Sequence, residues 1–269
     1  MTEQRKQELQ ETEYVGPDGL IWCSLCHTPR QRRIHIFNTD QVVFVLCDCL
    51  EAKREAEEAA MKQRELETKV RRLRAAGLAD PTIRACTFEN DQGFNGPELE
   101  KIKIYVNQWP EMRRRNLGLL LYGSVGTGKT YLAGCAANAL VEQGVPVMMT
   151  SLSRILGNLT GVYPDRREEY LRELDRYALL VLDDFGTERA TDFAMEQIFN
   201  VVDGRVRCGK PMIVTTNLNL SELQKPKDLA HERIYSRILE RCAPICVNRM
   251  NLRKRNAAET LLEAKALLG

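Results

Sequence analysis

The stretch GSVGTGKT, from Gly123 to Thr130, decides the fold, because it fits the pattern G-x-x-x-x-G-K-[ST] at every fixed position. The apolar segment LGLLLY comes directly before it, and the helical pattern YLAGCAANALVEQG follows it. A glycine-rich loop between a strand and a helix turns backbone N–H groups toward a phosphate, and the helix dipole favours an anion there. The sequence therefore predicts a nucleotide-binding loop, with an ordinary strand-to-helix turn as the weaker alternative.

Every residue of this loop is a candidate for binding ATP. Lys129 is expected to reach the β- and γ-phosphates, and the hydroxyl of Thr130 is a candidate ligand for Mg²⁺. The candidate ATP-binding residues are Gly123, Ser124, Val125, Gly126, Thr127, Gly128, Lys129 and Thr130.

A pair of carboxylates follows a second apolar strand. The segment ALLVLDD ends on Asp183 and Asp184. In P-loop NTPases such acids hold Mg²⁺ and orient the attacking water, so we expect Asp183 to bind the metal ion and Asp184 to polarise the water. Many related ATPases carry Glu in the second place, and the shorter Asp184 weakens the expectation of fast hydrolysis. Capping of the following segment by both aspartates is the structural alternative.

Polar residues downstream complete the predicted catalytic set. The apolar segment MIVTT is followed by Asn217, a candidate for hydrogen bonding to the γ-phosphate or the water. Arg233, Arg237 and Arg241 recur at helical spacing and so align on one helix face. A guanidinium there is a candidate arginine finger for a neighbouring subunit, and a solvated basic face is the alternative.

Strand and helix patterns alternate from Gly118 onward and predict an α/β domain. Five short apolar strands separated by helices imply a parallel sheet that is covered on both faces. The predicted strands are Gly118–Tyr122, Val145–Thr150, Ala178–Leu182, Met212–Thr216 and Ile245–Val247.

Four of the nine cysteines form two close pairs in the N-terminal part of the chain. Apolar segments at 33–37 and 41–46 indicate a hairpin between the pairs, with a turn at 38–40, which would bring the thiols together. Four thiolates at tetrahedral distance form a structural zinc site, and zinc would supply folding free energy to a module too small for its own core. The predicted zinc ligands are Cys23, Cys26, Cys47 and Cys49.

Two alternatives to that ligand set remain open. His27 and His35 lie close enough in the sequence to replace one of the cysteines as a ligand. The second alternative is that the four thiols bind no metal and are simply buried or redox-active cysteines.

The stretch from Leu50 to Ala76 is rich in Ala, Glu, Lys and Arg and predicts a long solvated helix ended by Gly77. We expect an N-terminal arm and zinc-binding module at 1–50, a linker helix at 51–80 and an ATPase domain at 81–269. No apolar run is long enough to cross a bilayer, and the N-terminus lacks the apolar core of a secretory signal. The expectation is therefore a cytoplasmic protein without a membrane partner.

With these motifs in order, the chain resembles the AAA+ helicase loaders of the DnaC/DnaI type and, in the same family, the IstB-like ATP-binding helpers of IS21-type transposases. The resemblance covers roughly Pro81 to the C-terminus and implies an AAA+ fold. It also implies that Arg237 is the arginine finger and Arg253 the sensor-2 arginine that contacts nucleotide. The segments that carry it are CTFEN, YGSVGTGKTYLA, LLVLDDFGTE, VTTNL and ERIYSRILER.

The resemblance further implies a Mg²⁺-dependent ATPase that self-associates through its ATPase domain and acts with a hexameric replicative DNA helicase and single-stranded DNA. The four-cysteine segment also resembles the zinc-bearing N-terminal modules of DnaI-type loaders, which implies that this region docks on the helicase. Two rival interpretations are a transposition helper that works with a transposase on duplex DNA, and a nucleotide-gated adaptor with little hydrolysis. The residues that would contact DNA are not indicated, because no interleaving of aromatic and basic residues marks a stacking platform.

Overall fold

A computed structural model describes residues 12–36, 39–91, 96–188, 191–248 and 252–268. Contacts between Cα atoms divide the chain into two units between Thr68 and Lys69. The division of the chain into regions at 1–50, 51–80 and 81–269 stays a prediction.

Two antiparallel hairpins form the first part of the N-terminal unit, β1 with β2 and β3 with β4. Their strands are β1 (Glu13–Val15), β2 (Ile21–Cys23), β3 (Gln31–Ile36) and β4 (Thr39–Phe44). The second hairpin is the one predicted between the cysteine pairs. The predicted turn at 38–40 was wrong in part, because Thr39 and Asp40 already pair with Ile36 and His35 in the ladder. Phe37 and Asn38 lie outside the described residues.

A single helix, α1 (Asp48–Gly77), follows the hairpins and runs for 30 residues. Its first turn carries Asp48 and Glu51, whose negative charges interact favourably with the positive end of the helix dipole. Helix α1 ends at Gly77, as predicted, and a Cβ atom there would collide with the backbone carbonyl of Val147. Glycine is therefore required where the end of α1 lies against the start of the strand at Val147–Ser151.

A five-stranded parallel sheet organises the C-terminal unit, in the order β6-β7-β8-β5-β9. The strands are β5 (Gly118–Tyr122), β6 (Val147–Ser151), β7 (Leu179–Phe185), β8 (Met212–Thr216) and β9 (Cys242–Cys246). The predicted α/β class and five-stranded sheet are confirmed. Strand β9 begins before the predicted Ile245, since Cys242 already pairs with Gly118.

Helices cover both faces of this sheet. The described helices that follow α1 are α2 (Pro81–Arg84), α3 (Gly96–Asn107), α4 (Trp109–Arg115), α5 (Lys129–Glu142), α6 (Leu152–Leu159), α7 (Pro164–Leu174), α8 (Asp192–Arg207), α9 (Leu220–Gln224), α10 (Leu229–Arg241) and α11 (Leu252–Leu268). Within the described ranges, none of the helices has the length and apolar character needed to span a bilayer.

Alternate residues of each central strand enter different cores. Leu121 and Val181 pack in one core with α3 and α5, whereas Leu120 and Leu182 pack in the other with α6, α8 and α10. Because successive strand residues point to opposite faces, a strand buried on both faces must be apolar throughout. This requirement explains the unbroken apolar runs before the phosphate loop and the acid pair.

A fully buried arginine, Arg205 of α8, ties together the beginnings of two strands. Its guanidinium donates to the carbonyls of Tyr177 (2.9 Å) and Ala178 (3.3 Å), just before β7, and to that of Pro211 (2.8 Å), just before β8. Burial lowers the pKa of Arg205. The carbonyl oxygens that surround the cation compensate for its desolvation. Arg205 therefore fixes the amino-terminal ends of β7 and β8, at the opposite end of the strands from the phosphate loop.

Substitution of Arg205 by Met should lower the free energy of unfolding by about 2–4 kcal/mol, because several buried carbonyls lose their donors. Urea denaturation measures this change. The control is Arg172→Met, since that side chain is exposed and forms a surface ion pair with Glu168; it should shift stability by less than about 0.5 kcal/mol. Equal effects of the two variants would contradict the role of Arg205.

Candidate nucleotide site and four-cysteine centre

The phosphate loop lies between the end of β5 at Tyr122 and the start of α5 at Lys129. Its backbone has positive φ at Gly123 (145°), Gly126 (81°) and Gly128 (96°), which side chains with a Cβ atom rarely tolerate. A Cβ atom on Gly123 would also collide with the carbonyl of Val247. The three glycines are therefore required for the loop conformation.

The loop holds its lysine inward. Lys129 is 5% exposed, and its Nζ atom donates to the carbonyls of Gly123 (2.9 Å) and Ser124 (2.7 Å). The hydroxyl of Thr127 donates to the same Ser124 carbonyl over 2.9 Å. An ammonium group surrounded by neutral carbonyls is well prepared for an anion, because phosphate oxygens are stronger acceptors than the carbonyls.

The first acid of the predicted pair contacts the phosphate-loop helix. Asp183 Oδ1 accepts hydrogen bonds from the hydroxyls of Thr130 (3.0 Å) and Thr215 (2.6 Å). Burial raises the pKa of Asp183, and the hydrogen bond from Thr215 opposes that shift. A hydroxyl and a carboxylate at this distance are oxygen ligands of the kind that Mg²⁺ prefers, so the donor set fits the ion.

The second acid faces an open cleft of about 200 Å³ beside the phosphate loop. The cleft brings the predicted Asp184 and Asn217 together with residues 125–130, although they are far apart in the sequence. Asp184 has φ of 57°, an unusual left-handed conformation for a residue other than glycine. Asp183 is not among the described residues that line the cleft, but it accepts a hydrogen bond from Thr130, which does line it.

The predicted arginines have partners within their own chain. Arg237 Nε lies 3.2 Å from Asp203 Oδ1, an ion pair without hydrogen-bond geometry, and Arg237 Nη1 lies 3.6 Å from Glu240. Arg233 stacks at 4.2 Å over the ring of Phe199. Arg233 is exposed and the Arg237 side chain is 40% exposed, so the arginine finger and the solvated basic face both stay predictions for this helix face.

Neither assigned arginine is seen against the nucleotide cleft. Arg237 is not among the described residues that line it. Arg253 belongs to α11, but its side chain lies outside the described part of the structure. The roles taken from the resemblance therefore stay predictions.

The four predicted cysteines meet in the N-terminal unit, with their sulfur atoms all within 4.8 Å of one another. Cys49 Sγ lies 3.5 Å from that of Cys23 and 3.4 Å from that of Cys47. Four sulfurs bound tetrahedrally to zinc at about 2.3 Å would lie about 3.8 Å apart. The cluster therefore has nearly the size that zinc requires.

The electrostatics of the cluster also fit a cation. A hydrogen bond from the Thr28 hydroxyl lowers the pKa of Cys26 to about 5, whereas the thiols of Cys47 and Cys23 raise the pKa of Cys49 to about 12. Neighbouring thiolates repel one another, so the last proton is held tightly unless a metal ion neutralises the group.

The two histidines considered as replacement ligands have other partners. His27 packs edge-on against Tyr14 with ring centroids 5.9 Å apart, and His35 Nδ1 lies 2.7 Å from Asp40. Cysteine thiols alone therefore form the candidate metal group among the residues that the structure describes.

Three residues near the nucleotide site were not predicted from the sequence. Tyr131 lines the cleft and donates through its hydroxyl to the carbonyl of Thr87 over 2.7 Å. Glu188 accepts the N–H of Gly186 (2.9 Å), in the turn after the acid pair. Thr215 contacts that pair directly. The sequence does place each of them within or beside a recognised motif, but only the fold gives their contacts.

Comparison with known proteins connects this geometry to one family. The family described as IstB-like ATP-binding protein matches residues 38–260. Rv3427c of Mycobacterium tuberculosis, named as an ATP-binding protein in an insertion sequence, is 31% identical over 170 residues, or 62% of this chain and 64% of Rv3427c. The replicative helicase loader DnaC of Escherichia coli K12 is 27% identical over 189 residues, or 67% of this chain and 74% of DnaC.

A solved structure gives the same connection for the fold. The crystal structure of the DnaC helicase loader superposes with a TM-score of 0.50 at 27% identity, covering 58% of this chain and 92% of that one. The likeness in both sequence and fold agrees with the resemblance seen in the motifs.

The four-cysteine centre should bind about one zinc ion per chain. Cys47→Ser should lose most of that metal and lower the melting temperature, because the centre would then lack one of its thiolates. Metal content by plasma mass spectrometry and thermal unfolding measure the two effects. The matched control is Cys208→Ser, an exposed cysteine outside the cluster, which should retain its zinc. Zinc-free wild-type protein with unchanged stability would contradict the assignment.

Proposed function

The chain belongs to the family of IstB-like ATP-binding proteins, and on that premise we propose that it is an ATP-dependent loader of a replicative DNA helicase. The N-terminal unit would bind the hexameric helicase, and the assembled ATPase units would contact single-stranded DNA. ATP hydrolysis would drive release of the helicase onto the DNA. Such a protein acts in the cytoplasm, where replication takes place.

The likeness to the DnaC loader, found in both sequence and fold, is the observation that carries this proposal. The four-cysteine centre adds support, because it is a separate module that an ATPase domain does not require for its own chemistry. It is suited to holding a partner protein while the ATPase unit changes its nucleotide state.

The nucleotide site has the groups that phosphoryl transfer to water requires. Lys129 would bind the β- and γ-phosphates, and Thr130 with Asp183 would hold Mg²⁺, which would neutralise charge on the transferred group. Asp184 faces the cleft and would orient the attacking water. Asn217, on the neighbouring strand end, would hydrogen-bond the water or the γ-phosphate, and Arg253 would contact the nucleotide from α11.

Arg237 would complete the site of a neighbouring subunit. Its side chain is 40% exposed on α10, and it does not line the cleft of its own chain among the described residues. A head-to-tail interface could deliver such a guanidinium to the γ-phosphate of the next subunit. Self-association through the ATPase unit would then be needed for turnover.

Mixing experiments test both hydrolysis and this division between subunits. Arg237→Ala and Asp184→Asn should each release little phosphate from ATP, whereas an equal mixture should recover about a quarter of the wild-type rate, because a site with Asp184 can pair with a neighbour carrying Arg237. Phosphate release measures the rate. Arg241→Ala, one turn further along α10, is the control and should stay near wild type. A mixture no faster than its components would refute action between subunits.

A transposition helper is the second candidate. The family itself is named after IstB-like proteins, and the relative Rv3427c belongs to an insertion sequence. A helper of this kind would use the same ATPase unit on duplex DNA and recruit a transposase. A nucleotide-gated adaptor, which binds ATP and hydrolyses little, is the third candidate and is favoured by the short side chain of Asp184.

Native mass spectrometry with the host's replicative helicase separates these candidates. A loader should form a complex whose stability differs between ATP, ADP and no nucleotide, and Cys47→Ser should weaken it by about tenfold or more if the zinc module makes the contact. Cys208→Ser is again the control. Absence of a complex in all three nucleotide states would contradict the loader and favour the transposition helper.

A further inference from the structure

Thr215, near the end of β8, contacts both acids of the predicted catalytic pair through one hydroxyl group. The hydroxyl donates to Asp183 Oδ1 over 2.6 Å and accepts the backbone N–H of Asp184 over 3.0 Å. Thr215 is fully buried, so it cannot touch a nucleotide in the cleft. Its position suits a group that acts on the two aspartates rather than on ATP.

An irregularity in the sheet explains why the acids need such support. Strands β7 and β8 pair regularly at Leu182 with Val214 and again at Phe185 with Thr216. Between these pairs, Asp183 and Asp184 lie opposite the single residue Thr215, which is the two-against-one arrangement of a β-bulge. A bulge interrupts the ladder and redirects side chains. At this bulge, the backbone N–H of Asp184 donates to the Thr215 hydroxyl instead of to a carbonyl of the ladder.

The bulge places Asp184 in an unusual backbone conformation that must be held from outside. Its φ of 57° is in the left-handed region, which residues with a Cβ atom seldom adopt. Thr215 fixes the N–H side of Asp184, and the hydroxyl of Thr187 donates to its carbonyl over 2.9 Å. Both peptide groups of Asp184 are thus fixed, and its side chain is presented to the cleft.

The same hydroxyl also restrains Asp183. Both Thr130 and Thr215 donate to Oδ1 of this carboxylate, which limits its rotation. If Thr130 binds Mg²⁺, as the motif predicts, Thr215 would remain as the hydrogen-bond donor that keeps Asp183 in place.

We propose that Thr215 is the positioning residue of the acid pair, setting the metal-binding carboxylate and the water-orienting carboxylate with a single hydroxyl. This inference rests on the proposed ATPase function and extends it, because Thr215 lies outside the phosphate loop and touches no nucleotide. Loss of the hydroxyl should therefore impair Mg²⁺ binding and turnover while leaving binding of metal-free ATP intact.

The next residue along β8 offers a matched control. Thr216 is also fully buried, and its hydroxyl also makes two hydrogen bonds, donating to the carbonyl of Phe185 (2.7 Å) and accepting the N–H of Leu218 (3.1 Å). It contacts neither acid. Valine at either position removes a buried hydroxyl with two hydrogen bonds. The two variants therefore share the general cost of losing a buried hydroxyl, but only Thr215→Val removes hydrogen bonds to the two acids.

The experiment compares full-length wild-type protein with Thr215→Val, Thr215→Ser and Thr216→Val. A fluorescent ATP analogue reports affinity with and without Mg²⁺, and phosphate release reports kcat. For Thr215→Val we expect metal-free affinity within about twofold of wild type, loss of most of the Mg²⁺-dependent gain in affinity, and kcat lower by about tenfold or more. Thr215→Ser should restore both to within about threefold, and Thr216→Val should change them less.

The outcomes separate this inference from the proposed function. If the wild-type protein releases no phosphate, the proposed hydrolysis fails, while the Mg²⁺-dependent gain in affinity still decides the role of Thr215. A Thr215→Val protein with the wild-type gain, a serine variant that rescues nothing, or equal losses in Thr216→Val would each overturn the inference. If Thr215→Val does not fold, the comparison is made between Thr215→Ala, which lacks the hydroxyl, and Thr215→Ser, which keeps it.

Discussion

The pairing of β8 between β5 and β7 is the constraint on which the nucleotide site depends. All three strands run parallel, so their carboxyl ends reach the same edge of the sheet. That edge receives the phosphate loop from β5, the acids from β7 and Asn217 from the end of β8. Helix packing on both faces holds the strands in register, and Arg205 fixes the opposite edge of β7 and β8. The chemistry of the cleft therefore rests on strand order, which ordinary apolar burial secures.

The two units obtain their stability in different ways. The C-terminal unit buries two apolar layers around its sheet, whereas the buried apolar side chains among the described residues of the N-terminal unit are Cys23 and Cys47 alone. So small a module ordinarily needs a metal ion or another covalent or ionic restraint. The crowded thiols provide a place for that ion.

Much of the nucleotide site was predictable because its parts are contiguous in sequence. The glycines, Lys129 and Thr130 form one loop, and the acids end one strand, so local patterns are sufficient to find them. The bulge opposite Thr215 was not predictable, because a threonine in an apolar strand has no local mark of its partner 32 residues away. The same holds for Arg237, whose helical spacing is evident in sequence but whose attachment to Asp203 depends on how α8 and α10 pack. The hairpin turn was misjudged by two residues because polar residues also pair in a solvent-exposed ladder.

The attachment of Arg237 to Asp203 has a consequence for subunit assembly. Asp203 is only 6% exposed at its side chain, and it is shared with Arg207, whose Nε lies 2.6 Å from the other carboxylate oxygen. A buried carboxylate that loses its sole cation is strongly destabilised, but Asp203 would keep one. Departure of Arg237 toward another molecule thus leaves a neutralised residue behind. If Arg237 acts between subunits as proposed, Asp203 would stay paired with Arg207, so the ion pair would order the Arg237 guanidinium in the isolated subunit without being its only use.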